Sequence, residues 1–130
     1  MKKALLLLSA VLALVLGGCS KPLSLEGTSW RNVIDSEFGG FSYKEYRLIF
    51  SDGGDVTLEM YGNSSLEKTV QGTYSYKGSH KYADLKGLDW EEGSTTYSFV
   101  GTYLGTESGN LVIEVKASFG TFSIYFKPED

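Results

Sequence analysis

The sequence predicts an all-β fold, an eight-stranded antiparallel up-and-down barrel preceded by a cleaved signal helix, and three observations predict it. From Gly27 onward Tyr, Phe, Val, Ile and Thr dominate, with Gly, Asn, Asp and Ser between the runs, the composition of strands and their turns. Within the runs apolar residues alternate with polar ones, the period of a strand with one face in a core and the other in water. The connectors are of hairpin length, too short for the helical crossovers that parallel strands require.

The strands follow in order. The first spans Gly27–Asp35 and the second Phe41–Ser51, in which Tyr46, Leu48 and Phe50 alternate with Glu45 and Arg47. The third, Asp55–Tyr61, sets Val56, Leu58 and Met60 against Thr57 and Glu59. In the fourth, Glu67–Tyr76, the residues Val70, Tyr74 and Tyr76 share a face with Gly72. The fifth, Tyr82–Trp90, carries Leu85, Leu88 and Trp90 out of phase, which a bulge near Gly87 corrects. The sixth, Thr95–Leu104, places Tyr97, Phe99 and Tyr103 on one face with Gly101. The seventh, Asn110–Ser118, alternates Leu111, Ile113, Val115 and Ala117 with Glu114 and Lys116. The eighth, Thr121–Lys127, alternates Phe122, Ile124 and Phe126 with Ser123 and Lys127.

Eight such strands in meander order each need a partner for the apolar face. Closing the sheet supplies it and removes both edges, so a barrel is favoured over a two-sheet sandwich. The connector from Ser36 to Gly40 is expected across one mouth. A barrel embedded in a membrane is excluded by pattern, because its outer face must be apolar, and here the alternate residues are Glu, Lys, Arg, Thr and Ser.

The chain begins with a separate signal. Met1-Lys2-Lys3 is positive, Ala4 to Leu16 is uncharged and apolar, and Leu16-Gly17-Gly18-Cys19 closes the run, the three parts of a secretory signal peptide. The run is shorter than the roughly 20 residues of a spanning helix. Leu16-Gly17-Gly18-Cys19 resembles the lipobox of bacterial lipoproteins. That resemblance implies a signal peptide over 1–18, a diacylglycerol (palmitate-type) anchor on the thiol of Cys19, a lipidated tether over 19–26 and a domain over 27–130. Cys19 is the only cysteine, so an exported chain has no disulfide framework and the thiol needs a role. Two or more acyl chains hold a protein stably on a membrane. Ser20 and Lys21 follow the cysteine in place of an Asp retention signal, which points to the outer membrane facing the periplasm. The leader carries two of the twelve basic residues, leaving ten against sixteen acidic ones. With the basic residues scattered, nucleic acid is not an expected partner.

Leu25-Glu26-Gly27-Thr28-Ser29-Trp30 opens the domain. It resembles the start of lipocalin-like domains, in particular small Bacteroidetes-type lipoproteins with a Leu-x-Gly-Thr-x-Trp opening. Gly72-Thr73-Tyr74 and the Tyr-x-Tyr spacing agree with them. The resemblance implies a barrel closed at its base by Gly27 and Trp30. The chain departs from lipocalins proper in having one residue more between Gly and Trp, and no Arg on a late strand to stack on the Trp. Lys127 is left to cover Trp30.

The search for chemistry returns little. His80, the single histidine, lies in a turn with no second His or Cys to complete a zinc site. Asp52-Gly53-Gly54-Asp55 reads as a hairpin turn, since calcium needs more oxygen ligands at fixed steps. In Asp89-Trp90-Glu91-Glu92 carboxylates flank an aromatic, but acids beside a turn are expected to be solvated. No catalytic residue, metal or cofactor is expected. The aromatic load of nine Tyr, seven Phe and two Trp has two readings. The rings fill a narrow barrel, or Tyr46, Tyr74, Tyr76, Tyr97 and Tyr103 line a ligand pocket at a mouth. The expected function is a non-enzymatic, membrane-anchored barrel that binds a small apolar or amphipathic ligand or an envelope protein. The alternative is a periplasmic inhibitor barrel acting on a lysozyme or protease.

Overall fold

Alternation along the chain becomes alternation across one closed sheet. The computed structural model describes residues 23–33, 43–78, 80–105 and 109–129. The leader, Cys19 and the connector 36–40 lie outside them. The strands are β1 (Thr28–Val33), β2 (Glu45–Phe50), β3 (Asp55–Gly62), β4 (Ser65–Lys77), β5 (Tyr82–Lys86), β6 (Asp89–Glu92), β7 (Thr95–Leu104), β8 (Leu111–Ala117) and β9 (Gly120–Pro128). Their order in the sheet is β5-β4-β3-β2-β1-β9-β8-β7-β6, and β5 pairs with β7 as well. Every pairing is antiparallel. Because β5 and β6 are two halves of one wall, the result is the closed eight-stranded up-and-down barrel that the patterning predicts.

The wall breaks at the expected glycine. Gly87 has a φ of +85°, a conformation open to Gly at no steric cost. Across from it lies Gly72 of β4, where an added Cβ would run into the Lys86 carbonyl oxygen. Two glycines therefore let the kinked wall approach β4 closely, and the kink turns Leu88 and Trp90 inward. A second irregularity falls in β7, whose register with β8 shifts between Phe99 and Gly101. The extra residue moves Thr102 into the core, fully buried, and sends Tyr103 outward, 36% exposed. The expected inward phase of Tyr103 is thus corrected, because a bulge reverses every side chain beyond it. On the outer wall Tyr82 covers Gly101, whose Cβ would overlap its hydroxyl. The same hydroxyl donates to Glu114 Oε1 at 2.6 Å.

The core runs the length of the barrel: Leu48, Phe50, Leu58, Met60, Tyr46, Tyr97, Phe99, Leu111, Ile113 and Phe126 are all buried. Full burial of side chains of this size contributes roughly 1.5–3 kcal/mol each. Among the described residues, main-chain pairing closes β1 on β9 with Lys127 opposite Arg31 and Pro128 opposite Trp30. It is extended by Glu129 N–H donating to the Ser29 carbonyl at 2.9 Å and by Asn32 Nδ2 donating to the Tyr125 carbonyl at 2.6 Å. Lys127 therefore stands beside Arg31 on the exposed face and not over Trp30.

The barrel has two unlike poles. At the proximal pole, residues 51–54 join β2 to β3 and residues 78–81 join β4 to β5. The chain enters here, and Leu23 and Leu25 are buried core members. Leu23 N–H donates to the His80 carbonyl at 2.5 Å, Leu25 N–H to the Tyr76 hydroxyl at 2.9 Å, and Gly27 N–H to the Phe50 carbonyl at 2.8 Å. Two buried leucines and three hydrogen bonds thus hold residues 23–27 to the barrel. At the distal pole lie the turns between β3 and β4, β6 and β7, and β8 and β9.

Candidate functional site

At the distal pole a buried carboxylate is set among aromatic residues of the core. Tyr46 is the first inward residue of β2 and Trp90 and Glu92 are the inward residues of β6, on walls that do not pair with each other. The Tyr46 hydroxyl donates to Glu92 Oε2 at 2.8 Å, and Trp90 Nε1 donates to the same oxygen at 2.7 Å. Glu92 is only 8% exposed. A carboxylate out of water is tolerated where donors replace its hydration, and a hydrogen bond to a charged group contributes about 1.5–3 kcal/mol.

Rings continue the group in both directions. Tyr43 meets Tyr46 edge-on at 6.0 Å, and Trp90 stacks on Tyr97 at 5.4 Å and meets Phe99 edge-on at 5.1 Å. Phe99 meets Phe126 at 6.0 Å. These are the separations at which aromatic pairs attract beyond their buried area. Above Tyr97, in the turn between β8 and β9, Phe119 stands 61% exposed, stacked on Phe122 at 5.8 Å and edge-on to Tyr97 at 6.3 Å. Asn32, opposite Tyr46 in the β1–β2 register, has a buried Oδ1 with no hydrogen-bond partner among the described residues.

The electrostatics follow from this burial. Desolvation pushes the Tyr46 hydroxyl far above the ordinary phenol range, and the adjacent Glu92 carboxylate adds to it by disfavouring a second negative charge. Tyr43 and Tyr97 shift upward for the same reasons, burial first and Glu92 second. These phenols are donors at every physiological pH, not bases or nucleophiles.

The five tyrosines expected at one mouth are divided among three places. Tyr46 and Tyr97 lie at the distal pole. Tyr74 and Tyr76 lie at the proximal pole, where the Tyr74 hydroxyl donates to the Ser51 carbonyl at 2.7 Å and the Tyr76 hydroxyl to Glu26 Oε1 at 2.8 Å. Tyr103 is on the outer wall, stacked on Tyr82 at 6.4 Å. Gly27 and Trp30 sit near the proximal pole; Gly27 has a φ of +75°, and Trp30 is buried with Nε1 donating to Thr28 Oγ1 at 2.9 Å. His80 is exposed in the 78–81 turn and stacks on Tyr76 at 4.5 Å. That places it at the pole opposite Glu92.

Sequence reasoning missed Glu92. The expectation that the acids around Trp90 are solvated holds for Asp89 and Glu91 but not for Glu92, which shares the inward phase of Trp90. Alternation from Trp90 was the signal. Two clefts of about 590 Å³ each open to solvent, one along Gly27–Trp30, Arg47, Pro128 and Glu129, the other along Val100, Glu114–Lys116 and Thr121–Ser123. None of the five tyrosines lines either. Among the described residues no group of three or more His, Cys, Asp and Glu is placed to hold a metal ion. Compared with family models, with curated proteins and with solved structures, the chain matches none of them.

Proposed function

We propose that this chain is an exported, lipid-anchored envelope protein, held by acyl chains on Cys19 at the outer membrane facing the periplasm. Its lipocalin-like barrel binds without catalysis, and it does so at the distal rim. The observation that carries the binding assignment is Phe119, a large apolar side chain 61% exposed at a turn tip, braced by Phe122 and Tyr97 over the Tyr46–Trp90–Glu92 group. Exposed aromatics backed by a rigid shell are the anchors of binding surfaces. Interior positions taken up by rings in mutual contact favour a partner or ligand seated on the rim over one swallowed whole.

The occupant is a small apolar or amphipathic molecule, or an apolar side chain of an envelope protein. A thermal-shift screen of residues 20–130 against fatty acids, sterols and haem-like compounds tests the first. A ligand present at a hundredfold excess over its Kd raises native stability by about 2.7 kcal/mol. The shift is expected to vanish in Phe119→Ser while the unliganded stability stays within about 0.5 kcal/mol, as at an ordinary surface position. A shift that survives in Phe119→Ser removes the rim assignment. Inhibition of a lysozyme or protease by wild type but not by Phe119→Ser identifies the inhibitor reading, which draws on the same protruding tip.

A further inference from the structure

We infer that the proximal pole is the surface held against the bilayer, so that the distal rim faces the aqueous phase and meets its partner there and not in the membrane. The inference rests on the proposed lipidation of Cys19 and deepens the proposed binding role. Its ground is where the barrel takes hold of its own N-terminal segment. Leu23 and Leu25 are buried, and their amides are bound to His80 in the 78–81 turn and to Tyr76 at the end of β4. Residues 20–22 alone separate Cys19 from Leu23. Even fully extended, four residue steps reach no more than about 14 Å.

That reach is shorter than the barrel. Strands of eight residues such as β3 rise about 26 Å, and a tilt near 40° still leaves the poles roughly 20 Å apart. A barrel tethered at one pole by at most about 14 Å of chain cannot turn its other pole to the lipid without withdrawing Leu23 from the core. The proximal surface does not depend on charge for this. Among the described residues, Lys77 at the end of β4 and His80 and Lys81 in the turn after it stand with Glu26, Asp52, Asp55 and Glu129 on the rest of the pole, a mixed set and not a polybasic patch for acidic headgroups. Tether length sets the orientation, and the acyl chains supply the affinity.

The consequence concerns the ligand. A molecule dissolved in the bilayer beneath the barrel would have to cross its full height to reach Phe119. The rim therefore suits a water-borne amphiphile or a protein that approaches from the aqueous side.

The single cysteine makes the test clean, because acylation consumes its thiol and an introduced cysteine is then the only one to label. Full-length lipidated protein carrying Asp52→Cys (proximal turn) or Ser94→Cys (distal turn) is labelled with a fluorophore and reconstituted into phosphatidylcholine vesicles containing a headgroup-attached spin-label quencher. Quenching several-fold greater at position 52 than at 94, unchanged by salt, is expected. Insertion of twenty Gly/Ser residues between Ser20 and Lys21, a linker averaging about 25 Å end to end, is expected to abolish the difference. Equal quenching at both sites in a vesicle-bound protein with the natural tether overturns the orientation alone. Thiol labelling of the protein without an introduced cysteine, together with failure to bind vesicles, overturns the lipidation on which it rests.

Discussion

Tyr46 and Glu92 stand on barrel walls that share no backbone pairing, and a 2.8 Å hydrogen bond from the phenol to the carboxylate joins them across the interior. The bond ties β2 to β6 at the distal end of the barrel. Tyr46→Phe takes one donor away from the buried carboxylate. A loss of about 1–3 kcal/mol in urea unfolding is expected. In a double-mutant cycle with Glu92→Gln, a coupling near zero would show that the pair acts independently.

Alkali should unfold the barrel before it ionises its interior. An unfolded tyrosine titrates near 10, while burial pushes Tyr74 and Tyr82 up to about 12 and Tyr46 higher still. Each raised phenol binds its proton more tightly in the folded state. Its contribution is complete below about pH 10 and is lost as pH climbs from there through the folded value. Stability is expected to be level through neutral pH and to fall across about 10–12, with phenolate absorbance rising in step with loss of the folded signal. Ionisation of Tyr74 and Tyr82 with the unfolded midpoint near 10, on a barrel that stays folded, would contradict this.

Leu25→Ala is expected to cost about 2–5 kcal/mol, the range for truncating a fully buried leucine. A free tether predicts no effect, so denaturant titration separates a core residue from a linker residue.

Gly72→Ala is expected to destabilise by about 1–3 kcal/mol, because its Cβ meets the Lys86 backbone carbonyl, which has no rotamer with which to move aside. The same measurement on Tyr103→Phe should read within about 0.5 kcal/mol of wild type, as for other surface changes.

Cys19→Ala should abolish incorporation of a palmitate analogue and membrane association while the barrel unfolds at the same denaturant concentration as the delipidated parent. Label retained by the variant would place the anchor elsewhere.

What the sequence by itself determined is the barrel. Period-two alternation in Tyr46-Leu48-Phe50, Val56-Leu58-Met60 and Leu111-Ile113-Val115 assigns each strand an inside, and short glycine-bearing connectors leave meander pairing as the way to satisfy those faces. The kink at Gly87 was legible because Leu85, Leu88 and Trp90 cannot share one face of an unbroken strand. The tertiary structure decided what lies where along the axis. Alternation assigns a face and is silent about height, so five inward-reading tyrosines were grouped at one mouth, whereas the register places Tyr74 and Tyr76 at one pole and Tyr46 and Tyr97 at the other. The bulge at Phe99/Gly101 leaves no mark in the apolar pattern, since Thr102 is polar and Tyr103 is apolar enough for either face. Glu92 is buried because Tyr46, 46 residues earlier, and Trp90 both reach its carboxylate; a charge is carried into a core only where distant donors converge on it, and convergence exists only after the sheet has closed.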